Sequence, residues 1–186
     1  RAAQVWEVIG HAPDILAAAD ACQAYVEGYR ATGDRKYLKK AEYWAWAGLP
    51  FVYQWGVDDY PWLRYGSIPI FGSTWWTCTW FGRPVQWNGL RYAYAVMELD
   101  ECVPNRFRWQ TIATGLTVSA LNQQGMDPKN KENYALWPDV YNAVTGQRVE
   151  WNFAPRGIII NVHKLMGREP YPTVENLRDE AGKPTP

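Results

Sequence analysis

The sequence has no excess charge of either sign, few cysteines and no long apolar run, and each shortage removes a class of function. With 19 basic and 19 acidic residues its formal net charge is zero, so it lacks an electrostatic footprint for DNA, RNA or an anionic membrane surface. Nucleic acid is therefore not an expected partner. No stretch approaches the roughly 20 apolar residues that a membrane-spanning helix needs, and no membrane partner is expected either. The three cysteines, Cys22, Cys78 and Cys102, are odd in number and widely spaced. That fits neither a disulfide framework nor the paired ligands of a zinc site, and they read as ordinary thiols. An Asp-rich magnesium motif is missing, which disfavours a terpene-cyclase-like toroid; no metal and no cofactor are expected. Arg1 is followed by neither a charged n-region nor an apolar h-region, so a signal peptide is expected to be absent or already removed.

Aromatic residues are abundant instead: 12 Trp and 12 Tyr in 186 residues. That length suits one domain with a full core. Cores prefer Leu, Ile and Val, whereas Trp and Tyr pair a flat apolar face with a polar tip that seeks water or a ligand. Many of them fall where the periodicity of regular structure is missing.

Residues 1–11 look like a lead-in, with a short β-like run at Val5 to Ile9. A helix is predicted from Pro13, with Asp14 in its first turn and the stripe Ile15, Ala19, Cys22, Val26 and Tyr29. Gly33 stops it, and Asp34 is placed to cap a second helix with Tyr37 or Leu38, then Ala41, Ala45, Gly48 and Val52 on one face. A stop and a start one residue apart fold the two into an αα-hairpin. Pro50 ends regular helix near Leu49, leaving a distorted turn at Phe51 to Tyr53. Residues 54–84 then lose all periodicity while carrying many aromatics, and long connections of this kind are usually functional.

A third helix follows Pro84, with Leu90, Ala93 and Met97 on one face, and a fourth runs from about Arg106 to Gln123. Residues 124–154 form a second long loop. Pro155 opens a fifth helix with Ile158, Ile159, Val162 and Leu165, for which a buried strand is the competing reading because of its β-branched residues. Connections thus alternate short and long. In antiparallel helices this gathers the tight turns at one pole and the aromatic loops at the other. The expected fold is all-α: antiparallel helical hairpins forming part of an (α/α) toroid, with long aromatic loops at one end. A closed ring of six hairpins would take about 300 residues, from helix dimensions. The expected organisation is therefore a partial toroid over 1–167, with a linker or the start of a following segment at 168–186, and a fragment of this kind would expose apolar faces on its outermost helices.

Several strings resemble bacterial proteins of the six-hairpin glycosidase superfamily: His11-Ala12-Pro13-Asp14-Ile15-Leu16, Thr32-Gly33-Asp34 with Tyr37-Leu38, Trp44 to Tyr53, and Pro84 to Leu90. The likeness covers roughly Val5 to Gly167. It implies an (α/α) toroid that acts on or binds a polysaccharide or oligosaccharide at the mouth of the ring. An extracellular or periplasmic setting fits that better than a cytoplasmic one. No catalytic motif of an assigned glycosidase or lyase family is present.

Glycoside hydrolysis needs two carboxyl groups, about 5–5.5 Å apart for retention or about 6.5–9.5 Å for inversion. Asp58, Asp59 and Asp139 lie in the long loops, and one of the first two would pair with Asp139. Asp also favours turns and caps for its own sake. A lyase would use a base such as His11, Tyr60 or Tyr65 and a cation such as Arg64 to neutralise a uronate. Trp55, Trp62, Trp75, Trp76, Trp87 and Trp137 are the candidates for stacking on sugar rings, against the alternative that they plug the loops onto one another. Glu98, Asp100 and Glu101 fall at the tight-turn end and read as a solvated face. Three functions follow: a glycoside hydrolase-like enzyme, a polysaccharide lyase, or a non-catalytic glycan-binding or scaffold domain.

Overall fold

In the computed structural model, residues 12–56, 58–74 and 77–168 are described. Among these residues there are five α-helices, two short 3-10 helices and one two-stranded sheet. Helix α1, Ile15–Thr32, starts from Asp14, whose backbone is extended and whose carboxylate accepts the Ala17 N–H at 2.6 Å. Asp14 is thus the cap rather than a first-turn residue, and it satisfies one of the orphan N–H groups of the helix start. Gly33, at φ 71°, closes α1 by donating to the Tyr29 carbonyl, in the left-handed conformation that glycine adopts without penalty.

Asp34 then caps α2, Arg35–Gly48, and a 3-10 turn over Leu49–Phe51 follows at Pro50. The predicted stripe of Leu38, Ala41, Ala45 and Gly48 is buried. Gly48 is required there because the Tyr92 ring fills the space where a Cβ would sit. The Tyr92 hydroxyl donates to the Ala45 carbonyl.

Helix α3 spans Gln86–Cys102 and α4 spans Trp109–Gln123, with Val103 to Arg108 as the second tight turn. The fourth helix starts three residues later than its sequence suggests. Helix α5, Arg156–Leu165, is a helix rather than the competing strand. Its Ile158 and Asn161 are buried while Ile159 is 52 % exposed, which is the spacing of a helix with one covered face.

The second long connection is not loop throughout. Strands β1, Trp137–Tyr141, and β2, Arg148–Phe153, pair antiparallel, with Val140 opposite Val149 and a register irregularity between Pro138 and Val140. The hairpin turn is set by Asn142, whose side-chain oxygen accepts the N–H groups of Val144 and Thr145, and by Gly146 at φ 70°. An Asx turn with a left-handed glycine is a hairpin signal of ordinary kind.

Helices α1, α3 and α5 lie side by side; α2 packs behind α1 and α3, and α4 behind α3 and α5. The result is two layers, an inner row of three and an outer pair. Helix α3 sits between all the others, which explains why it lacks a polar face. Every residue from Tyr92 to Leu99 is buried, as expected for a helix covered over most of its surface.

One of those residues corrects the solvated-face expectation. Glu98 is 3 % exposed and is bound by Arg30 from α1 and by Lys164 from α5, the latter at 2.5 Å. Glu101 completes the cluster, 2.9 Å from Arg30 and 2.5 Å from Lys164. The C-terminal ends of the three inner helices are tied together by charge at the tight-turn pole.

The opposite pole collects the loops. The Ile15 N–H donates to Pro69 at the start of α1, and the Val85 N–H donates to Ser67 just before α3. The two long connections also bind each other, through Tyr141 N–H to Pro84 and Ala143 N–H to Gly82. Small cores of Ile70, Trp80, Val85 and Val140, and of Leu63, Tyr141 and Ala143, seal the contact. The fold is that of antiparallel helical hairpins forming part of an (α/α) toroid, with its aromatic loops at one end.

Candidate functional site

The three inner helices all begin at the loop pole, and a groove of about 420 Å³ opens beside their first turns. Helix α1 supplies Leu16 and Asp20 to its wall, α3 supplies Trp87, Arg91 and Tyr94, α5 supplies Arg156, Gly157 and Ile160, and β1 supplies Trp137. Gly157 sits close at this crossing: a Cβ there would stand 3.2 Å from the Leu90 side chain, which would have to shift by a few tenths of an ångström. One turn further on, the Asn161 amide donates to the Leu90 carbonyl at 2.9 Å and locks α5 onto α3.

Asp139 occupies the irregular position in the β1–β2 ladder. Strand β2 carries one extra residue there, so that two of its residues face Asp139, and such a bulge raises the local twist of the pair. Here the carboxylate of Asp139 accepts the indole N–H of Trp87 at 2.8 Å. The Trp87 ring is half-buried, its centroid 6.3 Å from that of Phe153. Below it, Trp137 is 3 % exposed and packs with Leu90, Ala120 and Ile158. Across the groove, Asp20 and Arg91 form an ion pair at 3.0 Å with both side chains about half exposed.

Of the residues expected from sequence, the structure brings Trp87, Trp137 and Asp139 together. Asp58 and Asp59 are exposed in a turn and are not among the residues lining the groove. Tyr60 is half-buried, its ring centroid 6.0 Å from that of Tyr141, and packs in the small core with Leu63. Trp55 is 66 % exposed and lines a separate aromatic hollow of about 370 Å³ with Trp46, Phe71 and Phe81. Arg64 lines a third cleft. His11, Trp75, Trp76 and the side chain of Trp62 lie outside the described residues.

Asp20, Arg91, Tyr94 and Arg156 were not legible as site residues, although a signal was present. Trp87, Arg91 and Tyr94 recur at i, i+4 and i+7, the spacing of one helix face, and that face is the open one of an otherwise buried helix. Among the described residues no group of three His, Cys, Asp or Glu could hold a metal ion, and no helix is long and apolar enough to cross a membrane. The three cysteines are free, and burial pushes the Cys22 thiol up to about 12.

No protein-family model matches the sequence, and no curated protein matches it. Among solved structures the chain is similar to a GH76 alpha-mannanase from Bacteroides thetaiotaomicron, with a TM-score of 0.63 at 15 % identity. The match covers 83 % of this chain and 38 % of that one. At this level of identity the likeness speaks for the fold.

Proposed function

We propose that the chain belongs to a carbohydrate-active protein that holds a polysaccharide in the groove at the loop pole, with Trp87 as its stacking platform. The observation that carries this is the Trp87 indole N–H fixed on Asp139 at 2.8 Å. A ring held by its polar tip presents its face in a set orientation, so less freedom is lost when a flat pyranose face settles on it. Asp20, Arg91 and Arg156 supply polar groups along the same groove. Under this proposal residues 1–167 are a partial (α/α) toroid, with a linker or the start of a following segment at 168–186.

A glycoside hydrolase would use Asp139 as one of its two carboxyl groups, with Asp58, Asp59 or Asp20 as the other. The Asp20–Arg91 ion pair favours a second reading, a groove that binds glycan without cleaving it. In that pair the Asp20 carboxylate is already engaged by the Arg91 guanidinium at 3.0 Å.

Binding to a panel of α-mannan, β-glucan and xylan oligosaccharides, followed by reducing-end release, tests both. α-Mannan comes first because the structural neighbour is an alpha-mannanase. At least one neutral glycan is expected to bind, and Trp87→Ala is expected to weaken it about tenfold, equivalent to ~1.4 kcal/mol. Release of reducing ends that Asp139→Asn abolishes, with binding retained, selects the hydrolase; binding without release selects the binder. If no glycan in the panel binds, both readings fail.

A further inference from the structure

A second cleft, of about 500 Å³, lies between the turn at Pro61–Tyr65 and the outward face of α4. It shares no lining residue with the groove at the loop pole. Its wall on one side is Arg64 and Tyr65, and on the other Gln110, Thr111, Thr114 and Ser119. Among the described residues no acidic side chain lines it.

The floor is fixed from several directions. Tyr65 holds φ 68°, a left-handed conformation that is unfavourable for a non-glycine residue. Its N–H donates to Tyr53 at 2.8 Å, and its carbonyl accepts the Gln86 amide at 3.0 Å. Gln86 is itself buried and also donates to Leu116 on α4 at 2.9 Å. The Tyr65 ring lies against Gly115, in the space that a Cβ there would occupy. Arg64 then sets its guanidinium over the ring, 5.5 Å from the centroid, in cation–π range.

Helix α4 buries Ile112, Ala113 and Leu116 and leaves Gln110, Thr111 and Thr114 outward. The cleft therefore offers one guanidinium, one aromatic ring, hydroxyls and an amide, with no carboxylate to compensate the charge. A guanidinium fork matches a carboxylate in two-point geometry. Hydroxyl and amide groups match the hydroxyls of a sugar, and an aromatic ring matches its CH face. A neutral sugar would leave the guanidinium unused, and a bare anion would leave the hydroxyls unused.

We propose that this cleft binds a hexuronate residue of an acidic glycan, at a site independent of the groove that holds Trp87. The test is calorimetric titration of the chain with tri-galacturonate, with mannotriose and sodium acetate as comparisons, and with circular dichroism confirming the fold of each variant. Tri-galacturonate is expected to bind, with affinity that falls as salt rises. Arg64→Ala is expected to lower that affinity at least tenfold, with Arg64→Lys intermediate and Thr114→Val down severalfold. Trp87→Ala is expected to leave it unchanged, which separates this site from the groove. The proposal is overturned if folded wild-type chain does not bind tri-galacturonate, or if Arg64→Ala binds it as wild type does. Equal competition by acetate at the same concentration, or loss of binding in Trp87→Ala, overturns it as well.

Discussion

Trp87 and Asp139 are 52 positions apart in sequence yet share a hydrogen bond, and neither alone explains the geometry. The ring is placed by the first turn of α3 and the carboxylate by β1, at the point where β2 carries an extra residue opposite it. Trp87→Phe keeps most of the ring but removes the N–H. It is expected to destabilise the chain by about 1 kcal/mol, the usual worth of such a bond, and a urea titration would show it; an unchanged midpoint would mean that water replaces the indole at no cost. At the hairpin turn, Gly146 sits at φ 70° with the Tyr60 hydroxyl in the space a side chain would take. Gly146→Val should cost about 2 kcal/mol or more from the left-handed backbone and the collision together. A thermal melt indistinguishable from wild type would show that the turn is free to rearrange. Much of this residue level was readable in advance: Asp34 and Gly33 act as cap and stop because their chemistry is local. The bulge at Asp139 was not, because a ladder slip depends on the partner strand.

At the scale of elements, the inner helices are joined differently at their two poles. Near the tight turns Arg30, Glu98, Glu101 and Lys164 link α1, α3 and α5. Burial acts to raise the pKa of Glu98, but hydrogen bonds from Lys164 and Arg30 outweigh it and leave the carboxyl below its ordinary 4.5. For Lys164, burial acts downward and the hydrogen bonds to Glu101 and Glu98 outweigh it, placing the ammonium above 10.5. Glu98 therefore contributes stability that is fully present above pH 4.5 and lost as pH falls through its folded value. Lys164 contributes stability that is fully present below pH 10.5 and lost as pH rises through its folded value. Glu98→Gln should remove about 3 kcal/mol, because it leaves Arg30 and Lys164 with an uncharged partner. It should also flatten the acid limb of the melting temperature against pH. Glu101, half exposed, should matter less, at about 1 kcal/mol or under. An acid limb in Glu98→Gln as steep as that of wild type would contradict this. The sequence suggested a solvated face here because three acids close together on a helix resemble one. Their cations come from 68 and 66 residues away in sequence, beyond the reach of any local pattern.

For the whole molecule, the order of short and long connections decides which end of the layers can bind. That order is a property of the sequence, so the gathering of the aromatic loops at one pole could be inferred from helix stops and starts. The composition of the groove could not, since it depends on which face of α3 stays open when the other four helices cover the rest. The outer helices keep apolar side chains exposed, among them Tyr43 at 50 % on α2, Val118 at 47 % and Leu121 at 40 % on α4. Covered or not, these faces lie away from the first turns of the inner helices. Hydrogen exchange with and without a bound neutral oligosaccharide tests the central claim most directly. Slowed exchange confined to residues 84–91, 137–141 and 156–161, with 103–108 unchanged, is the expected result. Protection at the tight turn of 103–108, with none at the loop pole, would contradict it.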